Sequence, residues 1–183
     1  EGFYIRPRID LDLLRAHSEG LIGLSACLAG EIPRRIINGD YDGAKTYALE
    51  MRDILGEGNF YLELQDHGIP DQTIVNRALL RMHNETGIPL VCTNDAHYLR
   101  KEDAESHDVL LCIQTGKTVD DENRMRYQPQ NFYLRSTQEM EELFSGYPDA
   151  VENTQRIADR CQLEFTFGKY HLPEFKLPPG YDS

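Results

Sequence analysis

Phe60-Tyr61-Leu62-Glu63-Leu64-Gln65-Asp66-His67-Gly68-Ile69-Pro70 joins a short apolar run, a polar turn and a proline placed where a helix can begin. Short apolar runs bounded by turn residues read as buried strands, and proline at the first helical position sacrifices no hydrogen bond, because that N–H has no partner anyway. Downstream, Ile74, Val75, Ala78, Leu79 and Met82 recur at helical spacing until Gly87, and Ile88 to Cys92 then forms another strand. The same order appears upstream. Leu21 to Ser25 reads as a buried strand, a short helix lies around Pro33 to Ile37, and Asn38-Gly39 ends it. Ala44, Tyr47, Ala48, Met51, Ile54 and Leu55 then make one stripe on a helix stopped by Gly56. Strand, helix, strand, helix, strand is the pattern of right-handed βαβ crossovers, so the expected fold class is α/β, with a parallel sheet or barrel.

The second half is mostly helical. Glu102 to Gln114 starts polar and ends in Val109-Leu110-Leu111-Cys112-Ile113, a run that predicts last turns buried nearly all round. Thr115 to Gln130 reads as a long loop and Asn131 to Arg135 as a short strand. Ser136 with Glu139 makes a capping box opening Thr137 to Phe144, and Pro148 to Cys161 forms the last helix. Lys169 to Ser183 carries four prolines or glycines in Pro173, Pro178, Pro179 and Gly180, which reads as an extended linker. A length of 183 residues allows one ordinary domain or part of a larger one. The chain starts at Glu1 without methionine, as expected of a processed or excised piece.

A formal charge of −12 repels phosphate backbones at long range, which disfavours a main duplex-binding surface and suits divalent cations, although solubility alone also explains it. No apolar run approaches the roughly 20 residues needed to span a bilayer. Cys27, Cys92, Cys112 and Cys161 contain no CxxC pair, so neither a zinc ribbon nor a thioredoxin-type site is encoded, and reduced thiols are expected.

The chemistry concentrates at the carboxyl ends of the predicted strands, where parallel sheets and barrels place their sites. In Thr93-Asn94-Asp95-Ala96-His97, the side chains of Asp95 and His97 share one side of extended backbone and can converge as oxygen and nitrogen ligands of zinc or manganese. An Asp and a His satisfied by hydrogen bonds in a loop fit the same letters. Cys27 follows the first strand, either as a ligand or as a small buried residue. Gln65, Asp66 and His67 follow the second, where His67 equally serves to hold a turn. Glu63 and Gln65 alternate onto one polar face, with Glu63 suited to orienting a ligand. His17, His83 and His107 read as structural or solvated. Gln114 to Thr118 lacks the first glycine of a phosphate-binding loop and follows a helix, so it is no Walker motif. Arg124, Arg126 and Tyr127 form a small basic and aromatic cluster expected to be a solvated loop, with contact to single strands as the alternative.

Taken together, Ser18 to Ile22, Leu24 to Pro33, Phe60 to Pro70, Thr93 to Leu99, His107 to Lys117 and Tyr170 to Phe175 closely resemble the alpha-subunit family of bacterial DNA polymerase III, and within it the later part of the amino-terminal PHP domain. The resemblance covers practically the whole chain. It implies part of a distorted seven-stranded (β/α) barrel, the carboxyl-terminal portion only, over residues 1–168, with 169–183 leading toward the polymerase palm. It also implies a PHP site holding zinc or manganese, with Cys27, Asp95 and His97 among its ligands, Glu63, Gln65 and His67 near it, and the remaining ligands upstream of Glu1. The family's catalytic aspartates for DNA synthesis, with their magnesium, would lie beyond Ser183, so the piece alone is expected to be inactive as a polymerase. The proofreading exonuclease subunit and other holoenzyme subunits are the implied partners, DNA is met through other domains, and the setting is the bacterial cytoplasm without a membrane. A stand-alone PHP phosphoesterase and a purely structural docking module are the alternatives.

Overall fold

In this computed structural model residues 3–4, 6–170 and 172 are described. Most of the expected linker therefore lies outside the described residues. A small antiparallel hairpin pairs β1 (Phe3–Tyr4) with β2 (Arg6–Pro7), and α1 (Leu11–Ala16) follows, its start capped by the Asp10 side chain. The central element is a parallel sheet of β3 (Gly23–Leu24), β4 (Phe60–Leu64) and β5 (Leu90–Cys92), in that spatial order. Two helices, α2 (Glu31–Ile37) and α3 (Tyr41–Leu55), connect β3 to β4, and α4 (Pro70–Thr86) connects β4 to β5. The architecture is the mixed α/β arrangement expected, consistent with part of a PHP-type barrel.

Local chemistry fixes the helix ends. Asp40 accepts the Gly43 N–H at 2.9 Å to start α3. Pro70 opens α4, and Gly87 closes it at φ +72°, a left-handed conformation that a side chain would strain. The face of β4 that bears Phe60, Leu62 and Leu64 packs with Leu79 and Met82 of α4 and Ala44 and Ala48 of α3 into one core. Leu62, Leu79 and Met82 are wholly buried.

After β5 come a 3₁₀ turn (Lys101–Asp103), α5 (Ala104–Thr115), α6 (Thr137–Leu143) and α7 (Pro148–Arg160). The Ser136–Glu139 capping box forms as expected. α7 lies against β5, where the Asn153 amide donates to the Leu90 carbonyl at 2.8 Å. Three expectations fail. The strand expected to be buried from Leu21 to Ser25 is only Gly23–Leu24, at the edge of the sheet, with Leu21 and Leu24 exposed. The strand at Asn131–Arg135 is reduced to a single parallel bridge between Tyr133 and Tyr98. The end of α5 is not buried all round: Leu111 and Cys112 face inward, while Leu110 and Ile113 are 60% and 72% exposed. An unbroken apolar run marks every side of a helix alike, and only one side of α5 is covered.

Candidate metal centre

Alternation along β4 divides its side chains between two environments. Leu62 and Leu64 enter the core under the helices, and Glu63 and Gln65 face the other way. The Glu63 carboxylate is a brace between two loops. Its Oε2 accepts the Ala26 N–H at 3.0 Å, beside Cys27, and its Oε1 accepts the Gln65 amide at 3.0 Å together with the Thr93 hydroxyl, two residues before Asp95. The Glu63 N–H in turn donates to Ser25 Oγ at 2.8 Å. Both tethered loops hold a non-glycine residue in the left-handed region, Ala26 at φ +64° and Asp95 at φ +32°. Such backbone persists where its surroundings over-determine it, and these strand ends are fixed by the Glu63 bonds.

Beyond β5, Asp95 Oδ1 and His97 Nε2 come within 3.4 Å, each side chain about one-third exposed. The His97 N–H donates to the Phe132 carbonyl at 2.7 Å, which anchors the loop. His67 is wholly buried and secures the same loop from beneath. Its Nδ1 lies 2.7 Å from Gln72 Nε2 and its Nε2 lies 3.0 Å from the Asn94 carbonyl oxygen. An amide nitrogen only donates and a carbonyl only accepts, so His67 is the neutral tautomer protonated on Nε2. Its ring stacks on Phe132 with centroids 4.1 Å apart. His67 thus holds the turn and, through Asn94, the residue next to Asp95.

Tyr127 and His107 complete the surroundings. The Tyr127 and His97 ring centroids are 4.4 Å apart, and those of His107 and His97 are 5.7 Å apart. The Tyr127 phenol is pushed above its ordinary value by burial, then by the negative charges of Asp95 and Cys27. Burial, and next the neighbouring His97, lowers the His107 ring below its ordinary value. His107 is thus half-buried and packed among aromatic rings. Arg124 departs from the solvated reading more sharply: its side chain is 4% exposed and grips Asp108. Arg126 keeps the exposure expected of the cluster. No local pattern announces the meeting of α5 with the loop, since Tyr127 is separated from His107 by a turn and a long irregular segment.

The donor set fits a metal in kind. A tetrahedral zinc with bonds of about 2.0–2.1 Å has neighbouring ligands roughly 3.3–3.4 Å apart, the spacing of Asp95 and His97. Cys27, half-buried, follows β3 at the same end of the sheet, and its thiol is unpaired. Among the described residues no three His, Cys, Asp or Glu side chains gather as a metal-binding group. Asp95 and His97 stand as a pair at ligand spacing, and Cys27 does not gather with them. Cys92 is excluded as a donor by its place in the core, where burial pushes its thiol up to about 12.

Residues 1–67 match the model of the PHP domain, a span that includes Cys27, Glu63 and His67 and ends before Asp95. The chain is 46% identical over its full length to a protein of Borreliella burgdorferi and 42% identical over its full length to one of Treponema pallidum. It is also 41% identical, over 98% of its length, to a protein of Thermus aquaticus. Each of these relatives bears the name DNA polymerase III subunit alpha. The chain spans 16% of the first two and 15% of the third.

Proposed function

We propose, on the premise that this chain is a PHP-containing segment of the DNA polymerase III alpha-subunit family, that it contributes part of a PHP metal site and a protein-docking surface to a longer polymerase. Template-directed DNA synthesis belongs, in this reading, to other parts of that protein. The observation that carries the metal reading is the 3.4 Å approach of Asp95 to His97 at the end of a parallel strand. In this reading Cys27, at the same end of the sheet but not gathered with that pair among the described residues, is the third donor, and Glu63 holds the two loops in register through Ala26 and Thr93.

A bound zinc or manganese would supply charge that cross-links the strand ends and acidifies a water. The chain's own residues do the positioning. Asp95 and His97 offer an oxygen and a nitrogen from one loop, while His67 and Phe132 restrain that loop from below. The apolar side of α5, with Leu110 and Ile113 exposed, supports the docking role, for which the proofreading exonuclease subunit is the proposed partner.

Asp95→Asn in the full-length polymerase tests the assignment. Loss of metal content with polymerisation spared supports it. If the metal is structural, the thermal midpoint and exonuclease-subunit docking fall together, because metal-binding energy is then folding energy. A protein with unchanged metal content, stability and hydrolysis would overturn the role given to Asp95.

A further inference from the structure

The end of the sheet opposite the Asp95–His97 pair holds a second cavity. About 440 Å³ in volume, it opens between the last turns of α4, the residues that lead into β5 and the start of α7. Pro89 and Leu90 line it at the beginning of the strand whose far end leads to Asp95, so the two sites share no residue. Small-molecule pockets span roughly 300–1,000 Å³ and combine apolar walls with a few polar groups. Leu80, Pro89, Leu90 and Ala150 supply the walls here.

The polar groups of the lining divide into committed and free. The Asn153 amide is committed: it donates to the Leu90 carbonyl at 2.8 Å and accepts from Arg156 at 3.1 Å. His83 is half committed. Its Nδ1 lies 2.7 Å from the Ile88 carbonyl oxygen, which only accepts, so that nitrogen carries a proton and the neutral ring keeps a lone pair on Nε2. The Asp149 carboxylate is free. It has no hydrogen-bond or ion-pair partner among the described residues, and the nearest arginine along α7, Arg156, is held by Glu152 at 2.9 Å. Tyr147, 40% exposed, lines the same space, and no described lysine or arginine does.

A phosphate or carboxylate entering this space would meet Asp149 with no basic side chain to offset it. A free carboxylate, an aromatic ring, an imidazole lone pair and apolar walls instead suit a planar cation that carries several N–H groups on an apolar body. The carboxyl end of α4 adds its negative pole, set against the positive pole at the start of α7 that Asp149 itself offsets. We propose that this cavity binds a guanidinium or amidinium group, with Asp149 as the charged partner, Tyr147 as the aromatic contact and His83 Nε2 as a neutral acceptor. A free guanidino compound and an arginine side chain of a protein segment share this chemistry. The proposal uses no metal and none of the residues of the metal reading.

The test is a nuclear magnetic resonance titration of benzamidine, a planar amidinium on an apolar ring, into the 183-residue chain treated with chelator. Saturable shifts confined to the lining segments, residues 80–90 and 146–153, are expected. Asp149→Asn should weaken binding about tenfold or more, and Tyr147→Leu about two- to fivefold. Asp71→Asn, which removes the matching first-turn acid of α4, should leave binding unchanged. Circular dichroism confirms that the variants fold. Benzyl alcohol and benzoate keep the ring without the cation and should bind the parent chain about tenfold or more weakly, a comparison that needs no variant. Displacement of benzamidine by N-acetyl-arginine methylamide ahead of free arginine identifies a protein segment as the source, and the reverse order a free guanidino compound. Displacement by neither, shifts spread over the acidic surface, or no saturable shift would overturn the proposal. So would benzoate binding as well as benzamidine, or equal losses in Asp149→Asn and Asp71→Asn. Zinc binding at Asp95 and His97 enters none of these outcomes, so the two readings fail separately.

Discussion

Leu62 and Glu63 are neighbours on β4 with opposite roles. Leu62 and its partners Phe60 and Leu64 are buried under α3 and α4, where many interchangeable apolar contacts add up. Glu63 projects to the other side and ends in specific donors from two loops, Ala26 beside Cys27 and Thr93 two residues before Asp95. The apolar face supplies stability that tolerates small adjustments. The polar face depends on a few directional bonds, so its loss should show first in the geometry of the site and only second in stability.

The largest effect is expected on the apolar side. Leu79→Ala empties a wholly buried position of α4 against β4 and should cost about 2–5 kcal/mol of unfolding free energy in urea titrations. A loss well below 1 kcal/mol would mean that α4 does not pack as described. Glu63→Gln sharpens the contrast. It exchanges an acceptor of three donors for an amide with one acceptor oxygen, with an expected stability loss of about 1–3 kcal/mol. Metal affinity should fall about tenfold or more in the same variant, as for residues that orient ligands. Equal metal binding by Glu63→Gln and the parent chain would show that the brace does not serve the site.

A smaller, pH-dependent effect belongs away from both faces, at the start of α6. Bonds from the Tyr133 hydroxyl and then from Ser136 hold the Glu139 carboxyl at about 2, against an ordinary 4.5. The folded value is depressed, so the stabilisation is present above pH 4.5 and is lost as pH falls from there through about 2. Thermal midpoints measured across that window should fall less steeply for Glu139→Gln than for the parent. Parallel curves would show that the capping box contributes nothing through this charge.

The helices of the first half and the strands β4 and β5 were legible because periodicity and stop signals agreed, as with Leu79 on its stripe and Gly87 at its end, whereas β3 is shorter and more exposed than Leu21 to Ser25 suggested. The Asp95–His97 approach was anticipated, but not for the reason given by alternation, since Asp95 sits at φ +32° in a loop rather than in extended backbone. The end of α5 was misread because Val109 to Ile113 carries no polar residue to mark the outer side. The meeting of His107 with Tyr127 and of Arg124 with Asp108 left no trace in the sequence, for these residues meet only where the irregular loop folds back on α5. His67 was visible as a candidate in its turn, but its burial and its bond to Asn94 follow from the packing of Phe132, far away in the chain.

Zinc titration of the purified chain, beside Asp95→Asn and His97→Gln, tests the central claim most directly. The account predicts a saturable binding event in the parent that weakens about tenfold or more in each variant, with binding in the parent improving as pH rises because protons compete with zinc for His97 and Cys27. Equal zinc uptake by all three chains, or uptake by none, would contradict it.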